Sequence, residues 1–159
     1  MATLTHWNTV EVYDYGRTAD GTFYYVMEYL PGLSLQELVD QFGPLPPARA
    51  IHFLRQLCGA LREAHAIGLI HRDIKPSNII VCQRGSLDDV AKLLDFGLVH
   101  AERTPGVTSS QLTMQGTILG SPNFLSPEQA RGRGTIDPGT DIYSIGAWAS
   151  YLVTGQTVF

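Results

Sequence analysis

The apolar pattern between residues 48 and 67 constrains the fold of this chain more than any other feature. Apolar side chains recur there at spacings of three and four residues, the period of an α-helix with one buried face. Gly68 follows and predicts the end of the helix. Because 44% of the 159 residues are hydrophobic and 16% are charged, we expect this helix to pack in a single soluble globular domain. The residues on its expected buried face are Ile51, Leu54, Leu57, Cys58, Leu61, Ala64 and His65.

Two apolar runs before this helix predict a β-hairpin. They cover residues 10–15 and 22–30, and Asp20-Gly21 between them is typical of a tight turn. The second run is apolar at successive positions until Glu28, so it is expected to be a strand buried on both faces. Pro31 and Gly32 end it.

Further helices and strands give the chain an α+β composition. Ser34 and Glu37 form a capping-box pattern that predicts a short helix ending at Gly43. Short apolar strands are expected at 79–81 and 91–94, around a polar hairpin at 83–89. A last helix is expected after residues 137–140, ending at Gly155. Its apolar residues are Ile142, Ile145, Trp148, Ala149, Leu152 and Val153.

Charge and cysteine content limit the class of protein. The formal net charge is -4, so nucleic acid is not an expected partner. Cys58 and Cys82 are too far apart in sequence for a zinc-binding pair and lie in apolar stretches, which indicates buried free thiols. No signal-peptide pattern opens the chain and no apolar run reaches the length of a membrane span, so a cytoplasmic location is expected.

Two motifs bear chemistry. Residues 71–78 read His-Arg-Asp-Ile-Lys-Pro-Ser-Asn, and residues 95–97 read Asp-Phe-Gly after the next strand. Either motif alone is weak, since Asp-Phe-Gly is a common turn and His-Arg-Asp can form a surface ion pair. Together, in this order, they resemble the catalytic loop H-R-D-x-x-x-x-N and the metal-binding D-F-G of the protein kinases. Ser-Pro-Glu at 126–128 stands where that family has A-P-E, and the helix beginning near Asp141 is similar to its central C-lobe helix.

The resemblance implies roles for four residues in phosphoryl transfer. Asp73 would accept or orient the proton of the attacking hydroxyl, and Lys75 would hold the transferred phosphoryl group. Asn78 and Asp95 would supply the oxygen ligands that Mg²⁺ prefers, beside ATP. His71 is expected to be a packed structural histidine.

Substrate class and regulation are implied in the same way. Lysine two residues after the catalytic aspartate is the pattern of serine/threonine kinases, and residues 120–132 resemble the eukaryotic-like kinases of bacteria, so proteins with Ser or Thr hydroxyls are the expected substrates. Arg72 could pair with a phosphorylated hydroxyl of the activation segment, and Thr113 and Thr117 are the candidates. Exposed threonines are also ordinary in loops.

Met27 matches the family's gatekeeper position, and residues 28–30 match its hinge, where backbone groups of Glu28 and Leu30 would bind adenine. A strand ending in Met-Glu-Tyr is equally compatible with plain core packing. The family's Gly-rich loop and ATP-anchoring lysine would precede residue 5, and Lys75 is the first lysine of the chain.

The expected fold is therefore a truncated protein-kinase-like fold, the middle of a kinase domain. Residues 1–30 would form an N-lobe remnant of one hairpin with the hinge, and residues 31–159 the first half of the helical C-lobe, with a catalytic loop at 71–78 and an activation segment at 95–128. Because the later C-lobe helices are not encoded, Trp148 and Leu152 are expected to be exposed, and the isolated chain is expected to be weakly active or inactive. The alternative function is that of a non-catalytic, pseudokinase-like protein-binding module.

Overall fold

The structure is a computed structural model, and its first two strands form the predicted hairpin. The structure describes residues 4–94, 96, 122–132 and 136–158. Strands β1 (Val12–Arg17) and β2 (Phe23–Met27) pair antiparallel. The amide of Thr18 donates to the carbonyl of Thr22 at 2.9 Å, and Gly21 has φ +87°, a conformation that favours glycine. The Asp20-Gly21 turn is therefore confirmed.

The prediction that β2 is buried is wrong. Every residue of β2 is exposed, from 36% for Met27 to 46% for Val26. In the part of the chain that the structure describes, β2 pairs only with β1, and the two strands form a sheet of their own. A two-stranded sheet buries neither face without another layer on it, and a run of apolar residues does not reveal whether that layer is present.

A second, three-stranded antiparallel sheet lies nearer the helices. It contains β3 (Gly32–Ser34), β4 (Ile79–Arg84) and β5 (Leu87–Leu93), in the order β3-β4-β5. The sequence did not predict β3, because Pro31 and Gly32 indicated only an interruption. A Cβ at Gly32 would lie 2.0 Å from the carbonyl oxygen of Val81, so glycine permits this close strand pairing.

Four α-helices lie in the described ranges: α1 (Leu35–Phe42), α2 (Pro47–Ala66), α3 (Pro127–Arg131) and α4 (Pro138–Thr154). The predicted capping box of α1 is present, since Ser34 and Glu37 bond to each other's backbone amides. The predicted bounds of α2 and α4 agree with the structure to within one or two residues. None of these helices is both long enough and apolar enough to cross a membrane.

The buried face of α2 differs in part from the predicted one. Ile51 is 55% exposed and Cys58 is exposed, so the prediction of a buried Cys58 thiol is wrong, whereas Cys82 is buried as expected. One residue step turns a helix by about 100°, so the buried face lies about 60° around the helix from the predicted one, with Leu57, Leu61 and Ala64 common to both. The residues that α2 buries are Ala50, Phe53, Leu57, Ala60, Leu61 and Ala64.

The prediction that Trp148 and Leu152 are exposed is also wrong. Both side chains are 0% exposed and belong to the one hydrophobic core of the described residues. Helix α4 packs on α2, and its Leu152 carbonyl accepts a hydrogen bond from the amide of Leu45, 2.7 Å away, in the segment between α1 and α2. The earlier elements therefore supply the layer that buries this face of α4.

Candidate active site

The loop between α2 and β4 brings three predicted site residues together. The carboxylate oxygen Oδ2 of Asp73 accepts hydrogen bonds from Nζ of Lys75 at 2.7 Å and from Nδ2 of Asn78 at 3.1 Å. Asn78 also donates to the backbone carbonyl of Asp73 at 3.0 Å, closing a compact turn over the 3-10 helix Pro76–Asn78. The Asp73 side chain is 53% exposed, so a hydroxyl group can approach a carboxylate whose orientation is fixed by two donors.

Asn78 connects this loop to the end of β5. Its side chain is buried, and its carbonyl accepts a hydrogen bond from the amide of Leu94 at 2.9 Å. Because its side-chain nitrogen is committed to Asp73, the amide oxygen is the ligand that Asn78 can offer to a cation. Amide oxygens are donors that suit Mg²⁺, so the Asn78 side chain fits this ion.

Other predicted site residues cannot be placed. Asp95, Thr113 and Thr117 lie outside the described residues, as does most of the predicted activation segment. Within the described residues, no group of three or more His, Cys, Asp and Glu side chains is arranged to hold a metal ion.

His71 packs as a structural residue, as expected. It is 1% exposed, and its Nε2 lies 2.7 Å from the carbonyl oxygen of Leu94. Its ring meets that of Phe96 edge-on, with 4.7 Å between the centroids. This packing joins the start of the predicted catalytic loop to the residue Phe96 beyond β5.

The side chain of Asp141, on α4, binds backbone amides of the same loop. The sequence did not predict this role. Its side chain is 0% exposed. Oδ2 accepts from the amide of His71 at 2.9 Å and lies 2.8 Å from Nε2 of His65, while Oδ1 accepts from the amide of Arg72 at 2.8 Å. A signal was available, since Asp141 shares the buried stripe of α4 with Ile145 and Trp148 and a buried carboxylate needs such partners.

Arg72 has an unusual backbone conformation. Its φ is +71°, in the left-handed region that non-glycine residues rarely adopt, and its side chain is exposed. The bond from its amide to Asp141 helps to hold this conformation. The exposed guanidinium is accessible to an anion, as the predicted phosphate-reading role requires.

Glu28, predicted as a hinge residue, has a buried side chain. Its carboxylate is 6% exposed and accepts from Nζ of Lys92 at 2.8 Å and from the amide of Glu11 at 3.1 Å. It also forms an ion pair with Arg84. The backbone amide of Glu28 donates to the carbonyl of Glu11 at 2.9 Å, so the backbone group that it can offer to adenine is its carbonyl. That part of the hinge hypothesis stays a prediction.

Lys92 is the cation at the centre of this buried cluster. Its Nζ also donates to the carbonyl of Thr9 at 3.2 Å and lies 5.3 Å from the centroid of the Trp7 ring. Burial, followed by the charge of Arg84, lowers the pKa of Lys92. The sequence did not predict the cluster, because its partners lie on separate elements.

The Ser-Pro-Glu segment begins α3 beside α4. Glu128 accepts a hydrogen bond from Oγ1 of Thr140 at 2.7 Å, and this bond lowers the pKa of its carboxyl group. The two helices are therefore joined close to Asp141.

Comparisons with known proteins agree with this geometry. The family described as "Protein kinase domain" matches residues 1–159. The serine/threonine-protein kinase PknL of Mycobacterium tuberculosis is 42% identical over 159 residues, which are 100% of this chain and 37% of that protein. The serine/threonine-protein kinase PrkC of Bacillus subtilis is 39% identical over 158 residues, 99% of this chain and 23% of that protein.

A solved structure is similar over nearly the whole chain. The crystal structure of the Mycobacterium tuberculosis PknI kinase domain aligns with a TM-score of 0.72 at 26% identity, covering 98% of this chain and 54% of that one. This chain spans 37% or less of the length of the curated relatives named above. With the catalytic loop assembled as described and a family match over all its residues, the chain belongs to the protein kinase domain family.

Proposed function

We propose that this protein is a serine/threonine-protein kinase, which transfers the γ-phosphoryl group of ATP to Ser and Thr hydroxyls of proteins. The observation that carries the proposal is the convergence of Lys75 and Asn78 on one carboxylate oxygen of Asp73. The relatives PknL and PrkC, named as serine/threonine-protein kinases, support the same substrate class.

Asp73 acts on the attacking hydroxyl in this proposal. Its exposed carboxylate accepts or orients the hydroxyl proton, and the two donors on Oδ2 keep the carboxylate in one orientation. Lys75, whose ammonium lies beside this oxygen, would contact the transferred phosphoryl group and offset its negative charge. Phosphoryl transfer depends mainly on such positioning and charge neutralisation.

Protein kinases generally use ATP and Mg²⁺. Asn78, through its amide oxygen, and Asp95 are the residues that would hold the ion in this protein. When bound, Mg²⁺ neutralises charge on the phosphates. Leu30, with the carbonyl of Glu28, is the proposed adenine contact.

Regulation by phosphorylation is part of the same proposal. A phosphate on Thr113 or Thr117 would pair with the exposed guanidinium of Arg72. Because the backbone of Arg72 is bonded to Asp141, this pairing would act directly on the catalytic loop.

Phosphoryl transfer to a protein substrate is the decisive experiment. The purified full-length protein is incubated with γ-labelled ATP, Mg²⁺ and a general acceptor protein, and the labelled amino acids are identified after hydrolysis. We expect phosphoserine and phosphothreonine. Label on tyrosine alone would contradict the proposed substrate class. Binding of Mg²⁺ and ATP without transfer would favour the pseudokinase-like alternative.

A further inference from the structure

Gln129 lies immediately after Ser-Pro-Glu and contacts the catalytic loop directly. Its Nε2 donates a hydrogen bond to the backbone carbonyl of Arg72, at 2.6 Å. The two residues are 57 positions apart in sequence, so the bond joins the end of the predicted activation segment to the residue before Asp73.

The orientation of the Gln129 amide follows from its other partners. Its Oε1 accepts from both the amide and the hydroxyl of Ser126, each at 3.1 Å. A backbone amide can only donate, so the oxygen of Gln129 must face Ser126 and its nitrogen must face Arg72. Ser126 itself is 0% exposed, so the residue that orients the Gln129 amide is held in place by the packing around it.

Arg72 is thereby held on both sides. Its amide donates to Asp141 on α4 at 2.8 Å, and its carbonyl accepts from Gln129 on α3 at 2.6 Å. Its backbone has φ +71°, which costs free energy and persists only when neighbouring groups hold it. The peptide bond that begins at this carbonyl ends at the nitrogen of Asp73, so its orientation directs the Asp73 side chain.

We infer that Gln129 is a positioning residue for the proposed phosphoryl transfer, acting on Asp73 through the carbonyl of Arg72. This inference rests on the proposed kinase function. Gln129 makes the catalytic loop sensitive to whether the start of α3 is in place, because one amide bonds both segments. Its loss should therefore lower kcat and leave the KM for ATP unchanged.

Gln129→Glu distinguishes the contact with Ser126 from the contact with Arg72. A glutamate can still accept from Ser126, as in the common form of the capping box, but it cannot donate to the Arg72 carbonyl. Gln129→Met is close in size and adds no charge, but it loses both the donor to Arg72 and the acceptor for Ser126. Gln83→Glu, at an exposed position of β4, introduces the same charge as the first variant and serves as the control.

The test compares these variants in the full-length protein by steady-state kinetics and by amide hydrogen exchange. We expect Gln129→Glu to lower kcat by about five- to tenfold, the effect of losing one hydrogen bond, and Gln129→Met to lower it at least as much. The KM for ATP should not change in either variant. Exchange should rise in peptides covering residues 69–75 and not in those of α2. Gln83→Glu should match the wild type in both measurements.

Three outcomes would overturn the inference. The first is wild-type kcat and exchange in both variants at Gln129. The second is an effect of glutamate without one of methionine, which would show that charge is responsible. The third is increased exchange throughout the protein, which would show general destabilisation. If Gln129→Glu does not fold, Gln129→Met carries the test. A wild-type protein without transferase activity would contradict the proposed function, while the exchange measurement would still test the contact.

Discussion

The carboxylate of Asp141 accepts a hydrogen bond from the backbone amide of Arg72, with 2.8 Å between Oδ1 and the nitrogen. The other carboxylate oxygen accepts from the amide of His71. A single buried side chain on α4 thus satisfies two successive amides of the predicted catalytic loop. Neither amide is part of a helix or strand, so Asp141 replaces the bonds that regular structure would supply.

Asp141→Asn should destabilise the protein by about 1–3 kcal/mol, because an asparagine has one acceptor oxygen and would leave one buried amide without a partner. Denaturant unfolding measures this. Asp137→Asn, at the exposed N-cap of the same helix, is the matched control, since asparagine caps helices as well as aspartate does. Equal stability of the two variants would contradict the role assigned to Asp141.

Asp73→Asn should reduce turnover of a Ser/Thr peptide by about 10²- to 10⁴-fold, the typical effect of losing a general base, with little change in ATP affinity. Initial rates at saturating substrate and a separate ATP titration measure the two quantities. Asp88→Asn, at an exposed position of β5, should retain wild-type turnover. Near wild-type turnover by the Asp73 variant would remove this carboxylate from the mechanism.

Thr113 or Thr117 should carry phosphate in the active protein. The phosphate would form one to three charge-assisted hydrogen bonds with nearby donors, Arg72 among them. Mass spectrometry of the fully active preparation locates the modification, and Arg72→Gln should then weaken the activation that it produces. Two unmodified threonines in an active sample would disprove the hypothesis.

Glu28→Gln should cost about 3–5 kcal/mol of unfolding free energy, because it leaves Lys92 and Arg84 close together without their shared anion. Lys92→Met should cost less, since Glu28 then keeps Arg84 and the methionine packs where the lysine was buried. Urea unfolding of both variants gives the order directly. A larger loss in Lys92→Met would show that the cluster depends on the lysine rather than on the carboxylate.

Glu37→Gln should reduce the acid sensitivity of the protein. Hydrogen bonds from the Ser34 amide, and then from its hydroxyl, lower the pKa of Glu37 from its ordinary value in the folded state. A carboxyl with a lowered pKa stabilises the fold fully above its unfolded-state value, and this contribution is lost as the pH falls through the folded-state pKa. Glutamine still accepts from Ser34 but does not titrate. As the pH falls below the ordinary range of a glutamate carboxyl, the variant should therefore lose less stability than the wild type. Identical pH profiles would contradict this.

Local signals predicted the elements whose determinants lie close together in sequence. The capping box of α1 spans Ser34 to Glu37, the hairpin turn is centred on Asp20 and Gly21, and the apolar period of α2 repeats within each turn. Asp73, Lys75 and Asn78 likewise meet within one loop, so the motif alone placed them together.

Features that depend on distant partners were missed. Strand β3 has three residues and exists through its pairing with β4, which leaves no periodic pattern to detect. Lys92 is 64 positions from Glu28, and Asp141 is 69 positions from Arg72. Burial of Trp148 depends on which layers cover α4, a question of tertiary packing that helical periodicity does not answer.

The hairpin of β1 and β2 is anchored to the rest of the described structure at one end, opposite its turn. Its base is joined to the sheet through the buried Glu28 and through the amide of Val10, which donates to the carbonyl of Leu93 at 3.0 Å. At about 3.3 Å per residue, Gly21 at the tip lies roughly 23 Å from this support, so a tilt of about 10° moves the tip by about 4 Å. A small change of angle at Glu28 would therefore displace the turn by several ångströms while the pairing of β1 with β2 stays intact.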